Sequence, residues 1–452
     1  MAFEHPYLPQ TDQDQASMLA AIGVKSIDDL FSPIPDALKL KAPLALPQHL
    51  TEMELKDEFQ RLAGKNLSTG DLDNYLGAGM YEHYSPSLIR HLLDRSEFYT
   101  SYTPYQPEMT QGVLQAIFEY QSCICGLTGL DVSNASLYEG GHALAESVLM
   151  ARAKTGRNKV ILSAGLNPES LQVVRTYTTN LDTEIVLAPL GADGRTDLAA
   201  LKALLDDKTA AVALANPNFF GTLEDGQPFA DAAHAAGALF IAVVEPVSLA
   251  LLKSPGEYGA DIACGEGQSL GIPLSYGGPY LGFLAAKMAL VRQMPGRICG
   301  QTKDNRGQRA FVLTLQTREQ HIRREKANSN ICTNQTLLAL AATMYLGAVG
   351  PQGLKEVASQ GAQKAHYLAG QLAAIKGVKL TYGGAWLNEF TLDLGRDAAP
   401  ALKALQAKGI LGGVPLARYY PARTREILVA VTEVKKRAQL DKYAAALKEV
   451  LA

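Results

Sequence analysis

Cysteine is scarce in this chain of 452 residues: Cys123, Cys125, Cys264, Cys299 and Cys332 make an odd count, with no C-x-x-C pair. That usage excludes a disulfide framework and suits a reducing compartment. Excess charge is missing too, because 42 Lys and Arg against 45 Asp and Glu leave a formal net charge of −3. Nothing in the bulk electrostatics draws the chain to nucleic acid or to an anionic membrane, and neither partner is expected. No apolar run reaches the ~18 uninterrupted residues that would suggest a membrane span. Residues 1–10 hold an acid and two prolines where a signal peptide would place a basic region and an apolar stretch, so a cytoplasmic location is expected. H-E-x-x-H, clustered Cys and His, G-x-S-x-G and the phosphate-loop signature are all lacking, which leaves a metal site and those chemistries without support. Internal repeats and low-complexity segments are absent as well.

What is present is an ordinary globular composition, 47% hydrophobic and 19% charged, in a chain long enough for two or three domains. Thr51-Glu-Met-Glu54 is a capping box, Leu55, Phe59 and Leu62 share the face of the helix that follows, and Gly64 suits its end. A shorter helix is expected from Ser26, with Asp28 and Asp29 in its first turn. Residues 1–70 therefore read as a helical docking segment, with plain packing helices as the alternative. Ser85-Pro86 opens a helix running to Leu93. Beyond it, Tyr99-Thr-Ser-Tyr102-Thr103-Pro-Tyr105-Gln106 is rich in aromatic and β-branched residues and broken by proline, which makes it a polar, aromatic loop. A long helix from Glu108 to Leu127 should follow, carrying Cys123 and Cys125 as core or near-core thiols.

From Ser133 the pattern alternates between strand and helix. Strands are expected at Ala135–Leu137, Val160–Leu162, Glu184–Leu187, Ala210–Leu214, Leu239–Val244, Asp261–Ala263 and Leu281–Leu284, with helices between most of them. Such runs predict a mostly parallel sheet buried on both faces, in a large α/β domain over 71–345. Near its end, Gln316–Lys326 reads as a basic helix and Thr333–Tyr345 as an apolar one. Past Gly350 come a helix, a strand at Leu387–Asp393, a helix at Ala399–Ala407, a strand at Ile427–Val431 and a helix at Glu433–Leu451 capped by Thr432. That order describes a smaller α+β domain over 346–452.

Several motifs could carry chemistry. Glu139-Gly140-Gly141-His142 lies where a strand meets a helix N-terminus, a natural anion site because unpaired N–H groups and the helix dipole face the same way. It lacks the hydroxyl of a usual phosphate cup, and a purely structural turn is the other reading. Glu245 follows the strand Leu239–Val244 at its carboxyl end, where α/β sheets hold ligands and a carboxylate would suit a protonated pyridine nitrogen; with Pro246 next to it, a relic role is favoured. Asn216–Gly221 ends another strand, as a cleft wall or an ordinary turn. Arg318, Arg323 and Arg324 suit carboxylate, phosphate or an acidic protein face, with a solvated helix as the alternative. His142 and His321 are the histidines placed nearest a cleft.

Four stretches carry a family resemblance: Tyr99–Gln106, Asn134–Gly140, Gly265–Leu270, and Gln316–Arg324 followed by Ser329–Thr333. In this order they resemble the P-protein family of the glycine cleavage system, over most of the chain from Met18 to the last helix. The chain is similar to the N-terminal half of that protein, as it occurs where the enzyme is divided into two subunits. The resemblance implies fold type I of the pyridoxal-phosphate-dependent transferases. It also implies the activity of an oxidoreductase, glycine dehydrogenase (aminomethyl-transferring), which decarboxylates glycine on pyridoxal 5'-phosphate and passes the aminomethyl group to the lipoyl arm of H-protein. Where such enzymes present a Schiff-base lysine, this chain reads Gln268, Ser269 and Leu270. The lysine, and the covalently held cofactor, are therefore expected on the second subunit of a heterotetramer with two copies of each.

On this resemblance Gly140, Gly141, His142, Glu245, Gln268 and Ser269 form a vestigial pocket. Tyr99, Tyr102, Thr103, Tyr105 and Gln106 become candidates to reach the partner's site, and Arg318, Arg323 and Arg324 candidates to contact the partner or H-protein. Two rivals are an autonomous pyridoxal-phosphate enzyme using Lys287 or Lys303, and a non-catalytic scaffold subunit.

Overall fold

Two compact units, Met1–Leu67 and Ser68–Ala452, divide the computed structural model, which describes residue 7 and residues 9–452. Most of the acidic, proline-bearing start lies outside the described residues. In the first unit, α1 (Asp12–Ile22) and α2 (Glu52–Ala63) each open on a capping box, Thr11 with Asp14 and Thr51 with Glu54. The helix expected from Ser26 shrinks to a single 3-10 turn, Asp28–Phe31. The Asp29 carboxylate folds back onto the N–H groups of Lys25 and Ser26, and Pro33 and Pro35 prevent continuation. No described residue of this unit is buried, and 17 of its large hydrophobic side chains are exposed, so it has no core of its own.

The second unit begins with β1 (Asp73–Asn74), α3 (Ser87–Leu93), α4 (Ser96–Tyr99) and α5 (Gln111–Thr128). Strands and helices then alternate: β2 (Val132–Ser133), α6 (Gly140–Thr155), β3 (Lys159–Ser163), α7 (Pro168–Thr178), β4 (Glu184–Ala188), α8 (Leu198–Leu204), β5 (Thr209–Asn216), α9 (Gly226–Ala235), β6 (Leu239–Val244), β7 (Ile262–Glu266) and β8 (Gly282–Ala286). They form one seven-stranded sheet in the order β2-β8-β7-β6-β5-β3-β4. β4, β3, β5, β6 and β7 run parallel, while β8 is antiparallel to both its neighbours. Along β5, Ala211 and Ala213 pack toward α6 and α7, and Val212 and Leu214 toward the core shared with α5, α9 and the helix after Gln335. That period of two, apolar on both faces, is why the strands read as continuous hydrophobic runs.

The strand expected at Ala135–Leu137 is corrected. The ladder is formed by Val132–Ser133, and Leu137 makes only an isolated bridge to Gly282. The chain is diverted at Ser136, whose hydroxyl engages Asn334 and the Gln335 N–H.

Beyond the sheet lies an antiparallel hairpin, β9 (Ile298–Lys303) with β10 (Arg309–Thr314). The basic helix expected over Gln316–Lys326 is broken into a 3-10 turn, the four-residue α10 (Gln320–Arg323) and a second 3-10 turn. Leu315 and Arg324 have positive φ, and tertiary hydrogen bonds from Arg318 override local helical propensity.

Next, α11 (Thr336–Ala373) kinks at Gly350. It is long and apolar enough to cross a membrane by length and composition alone, but its buried residues belong to the cores of both the large sheet and the C-terminal region. That region contains β11 (Lys379–Leu380), β12 (Glu389–Asp393), α12 (Ala398–Ala407), β13 (Ile410–Leu411), β14 (Val414–Pro415), β15 (Glu426–Ala430) and α13 (Arg437–Leu451). An antiparallel sheet in the order β11-β12-β15-β14 packs there against α11, α12 and α13. Thr432 is not the cap of the last helix: α13 starts five residues later, at Arg437, and the Thr432 hydroxyl donates to the Glu82 carbonyl.

Candidate functional site

At the carboxyl ends of β3, β5, β6 and β7 lies a cavity of about 260 Å³. This is where an open α/β sheet holds its ligands. Its walls bring together the segment 78–81, the start of α6, the β3–α7 connection, Pro217 to Phe219, the ends of β6 and β7, and Glu389 of β12. Five glutamates line it, Glu139, Glu169, Glu245, Glu266 and Glu389, and no lysine or arginine is among the described lining residues. At the rim, Arg418 pairs with Glu169 at 3.5 Å.

The N-terminus of α6 points its free N–H groups at this cavity, and carboxylates of the chain take them up. Glu139, the N-cap, accepts from Gly141 N at 2.5 Å and His142 N at 2.6 Å. Glu266, at the end of β7, accepts from Gly140 N at 2.9 Å through Oε2, and from Gln268 N at 2.9 Å and Leu281 N at 3.0 Å through Oε1. Burial pushes the Glu266 carboxyl up to about 7 against the pull of these donors. A Cβ at Gly140 would meet the backbone and Cβ of Glu266 at 3.0–3.2 Å, so glycine is what lets the strand end approach the helix.

The opposite wall is equally self-contained. Glu245 accepts from Ser269 Oγ at 2.5 Å, Val247 N at 3.1 Å and Ser248 N at 2.7 Å. Gln268 is buried and engages the backbone: its Oε1 accepts from Tyr81 N, and its Nε2 donates to the carbonyls of Tyr81 and Ile272. Tyr81 in turn donates its hydroxyl to Glu389 Oε2 at 2.7 Å, while Ala78 N donates to Oε1 at 2.7 Å. Burial raises Glu389 to about 7.

The expected pocket residues are thus partly brought together. Gly140, Gly141 and Glu245 line the cavity; Gln268 and Ser269 support it from behind through Tyr81 and Glu245. His142 contributes only its amide: its ring is buried away from the cavity, stacked on Tyr138 with centroids 4.5 Å apart and 3.3 Å from Glu146. Pro217, Asn218 and Phe219 do form a wall, so the Asn216–Gly221 loop reads as cleft rather than as an ordinary turn. Sequence reasoning did not assign Glu266 and Glu389 to the site. Glu389 lies far along the chain from every other wall, and no local pattern marks it.

The tyrosine loop lies elsewhere, and none of Tyr99–Gln106 lines the cavity. Tyr99, Tyr102 and Tyr105 are 62%, 76% and 58% exposed, so the rings face outward. The loop is fastened by buried Arg297, whose guanidinium lies 5.4 Å from the Tyr105 ring centroid and donates to the Cys332 carbonyl at 2.7 Å. His321 meets the Tyr105 ring edge-on at 6.4 Å. Arg318 is not a free cation: its guanidinium donates to the carbonyls of Leu315, Met294 and Gly296. Arg323 and Arg324 are exposed. Lys287 is tied to Asp261 at 2.7 Å and, like Lys303, is absent from the cavity wall.

A phosphorylated cofactor such as pyridoxal phosphate does not fit this cavity. Three N–H groups suited to a phosphate already serve two carboxylates, and no cation among the described lining residues balances an added dianion. Two like unit charges 4 Å apart repel by about 4 kcal/mol at an effective dielectric of ~20, and the described lining holds glutamates with no cation among them.

Comparison with known proteins gives a concordant result. The family model described as "Glycine cleavage system P-protein" matches residues 5–447. A relative from Moorella thermoacetica, named probable glycine dehydrogenase (decarboxylating) subunit 1, is 53% identical over 446 residues, covering 99% of this chain and 100% of its own. A crystal structure of glycine decarboxylase (P-protein) of the glycine cleavage system, in inhibitor-bound form, superposes with a TM-score of 0.90 at 46% identity, covering 99% of this chain and 100% of that one. Glutamate decarboxylase from Lactobacillus brevis, with a TM-score of 0.69 at 13% identity and coverage of 92% and 96%, shares the fold alone.

Proposed function

The chain belongs to the glycine cleavage system P-protein family, and from that premise we propose a division of labour between two subunits. It acts as the first subunit of the decarboxylating glycine dehydrogenase of that system, on the fold of the pyridoxal-phosphate-dependent enzymes. The reading that goes further is that this chain has no Schiff-base lysine, that the cofactor is attached through the second subunit, and that two copies of each form the working enzyme. The observation that carries it is a full-length family match joined to a cavity whose wall holds five glutamates and no lysine.

In the partner, the cofactor would supply the electron sink for the carbanion left when carbon dioxide departs. This chain would supply walls and contacts. Tyr102, Thr103 and Gln106, with Tyr99 and Tyr105, would hydrogen-bond or cover a ligand held by the partner; in support, none of them lines the chain's own cavity, and the three tyrosines and Gln106 are exposed. Buried Arg297 fixes the Tyr105 end of the loop, which lowers the ordering cost of that contact. Arg323 and Arg324 are free to meet an acidic face, on the partner or on a lipoylated H-protein that accepts the aminomethyl group. Residues 1–70 serve as the docking segment, since the unit Met1–Leu67 exposes 17 large apolar side chains and buries none of its described residues. The reaction as a whole is that of an oxidoreductase, and the compartment is cytoplasmic.

Reconstitution tests this reading. The chain is combined with the second subunit, pyridoxal phosphate and lipoylated H-protein, and exchange of the glycine carboxyl with bicarbonate is followed. Exchange is expected from the mixture and from neither subunit alone. A borohydride-reducible Schiff base on this chain by itself would overturn the assignment.

A further inference from the structure

The first turn of any α-helix presents N–H groups with no partner inside the helix, and a helix end aimed into a cavity needs an anion or a cap. In this chain α6 meets that need internally, from two directions. Glu139 reaches forward from the cap position to Gly141 N and His142 N at 2.5 and 2.6 Å, and Glu266 reaches across from the end of β7 to Gly140 N at 2.9 Å. All three N–H groups of the turn are engaged by carboxylates.

We propose that Glu139, as a built-in counter-anion, and Glu266, as a buried acceptor, hold the α6 end in place of a bound phosphate, so that this cleft folds without a phosphorylated ligand and excludes one.

Three observations support it besides the hydrogen bonds. The glycine pair, which in the sequence resembles a phosphate turn, is accounted for by the carboxylates. A Cβ at Gly141 would come within 3.1 Å of Glu139 Oε2, and one at Gly140 within 3.0 Å of Glu266. Glu266 ties the helix end to the sheet, because its other oxygen holds Gln268 N and Leu281 N. The remaining wall is acidic, with Glu245 and Glu389 opposite and Glu169 toward the rim. A capping glutamate without these neighbours would stabilise a helix; with them it also closes the site to a dianion.

The inference goes beyond the division of labour proposed above and is tested apart from it, on the full-length chain alone with inorganic phosphate as the probe. Thermal unfolding is compared in phosphate and in chloride at equal ionic strength, and phosphorus NMR linewidths report binding directly. Wild-type chain should show neither a shift in midpoint nor broadening. Glu139→Ser removes the carboxylate from two N–H groups and leaves a neutral hydroxyl that caps only one of them. Its midpoint should fall in chloride, recover by about 2 °C in millimolar phosphate, and be accompanied by broadening. Phosphate binding by the wild type, or a serine variant indifferent to phosphate, overturns the proposal. If the serine variant does not fold, Glu139→Gln removes the charge and keeps the shape. It must gain phosphate sensitivity in the same comparison, and indifference overturns the proposal again. Either failure leaves the reconstituted exchange reaction untouched.

Discussion

The acidic cavity and the tyrosine loop are both polar, yet one is closed on itself and the other is left open. In the cavity Glu139, Glu245, Glu266 and Glu389 each accept at least two hydrogen bonds from this chain. In the loop Tyr102 is 76% exposed, and no hydrogen bond of its hydroxyl is found among the described residues. Carboxylates withdrawn from water must be satisfied where they lie, whereas exposed hydroxyls remain free to meet a second molecule. A self-satisfied cavity and an exposed polar loop thus occur in one chain, and the proposed contact with the partner subunit rests on the loop.

The comparison can be broken first by pH. Glu389 and Glu266, both raised by burial to about 7 from an ordinary value of 4.5, bind protons in the folded chain that the unfolded chain has already lost. Stability is therefore fully present below about pH 4.5 as far as these groups are concerned, declines as pH rises toward 7, and levels off above it. Each group accounts for about 3 kcal/mol of that decline. Urea unfolding of Glu389→Gln should show a flatter profile, with the variant gaining on wild type at pH 8. An unchanged slope would mean that the cavity wall is better hydrated than its geometry suggests.

A second test takes the loop. Tyr102→Ala with Thr103→Ala should leave the unfolding midpoint of the chain unchanged while glycine–bicarbonate exchange by the reconstituted enzyme falls about a hundredfold, the scale of losing a positioned contact at a reacting centre. Full activity in this variant would make the loop structural and remove the contrast. The smallest expected effect concerns the docking segment. Phe59→Gln should alter the stability of the chain by no more than about 0.5 kcal/mol. It should weaken association with the second subunit about tenfold in sedimentation measurements, as loss of an apolar anchor does.

Much of the architecture was legible because its signals are local. The apolar runs of β3, β5 and β6, the capping box at Thr51 and Glu54, and the proline-opened α7 lie where their patterns put them. Legibility failed where distant groups outbid nearby ones. The stretch from Gln316 has helical composition, but Arg318 is drawn to the carbonyls of Met294 and Gly296 and the helix breaks. The hairpin of β9 and β10 carried no alternation clear enough to predict, since only Phe311 and Leu313 of its second strand are buried. In the candidate site, Gly140, Gly141 and Glu245 were legible from their place after strands. His142 was misplaced because spacing alone does not say which way a ring turns at a helix start.

The sequence by itself determined the family, the alternation of β3 to β7 with the helices between most of them, and the absence of lysine at positions 268 to 270, all of which are properties of neighbouring residues or of long matched motifs. Tertiary structure alone decided that carboxylates from α6, β6, β7 and β12 meet in one cavity and that two of them satisfy the helix end. The reason is physical: a free N–H group takes the strongest acceptor within reach, and reach in space has no counterpart in distance along the chain.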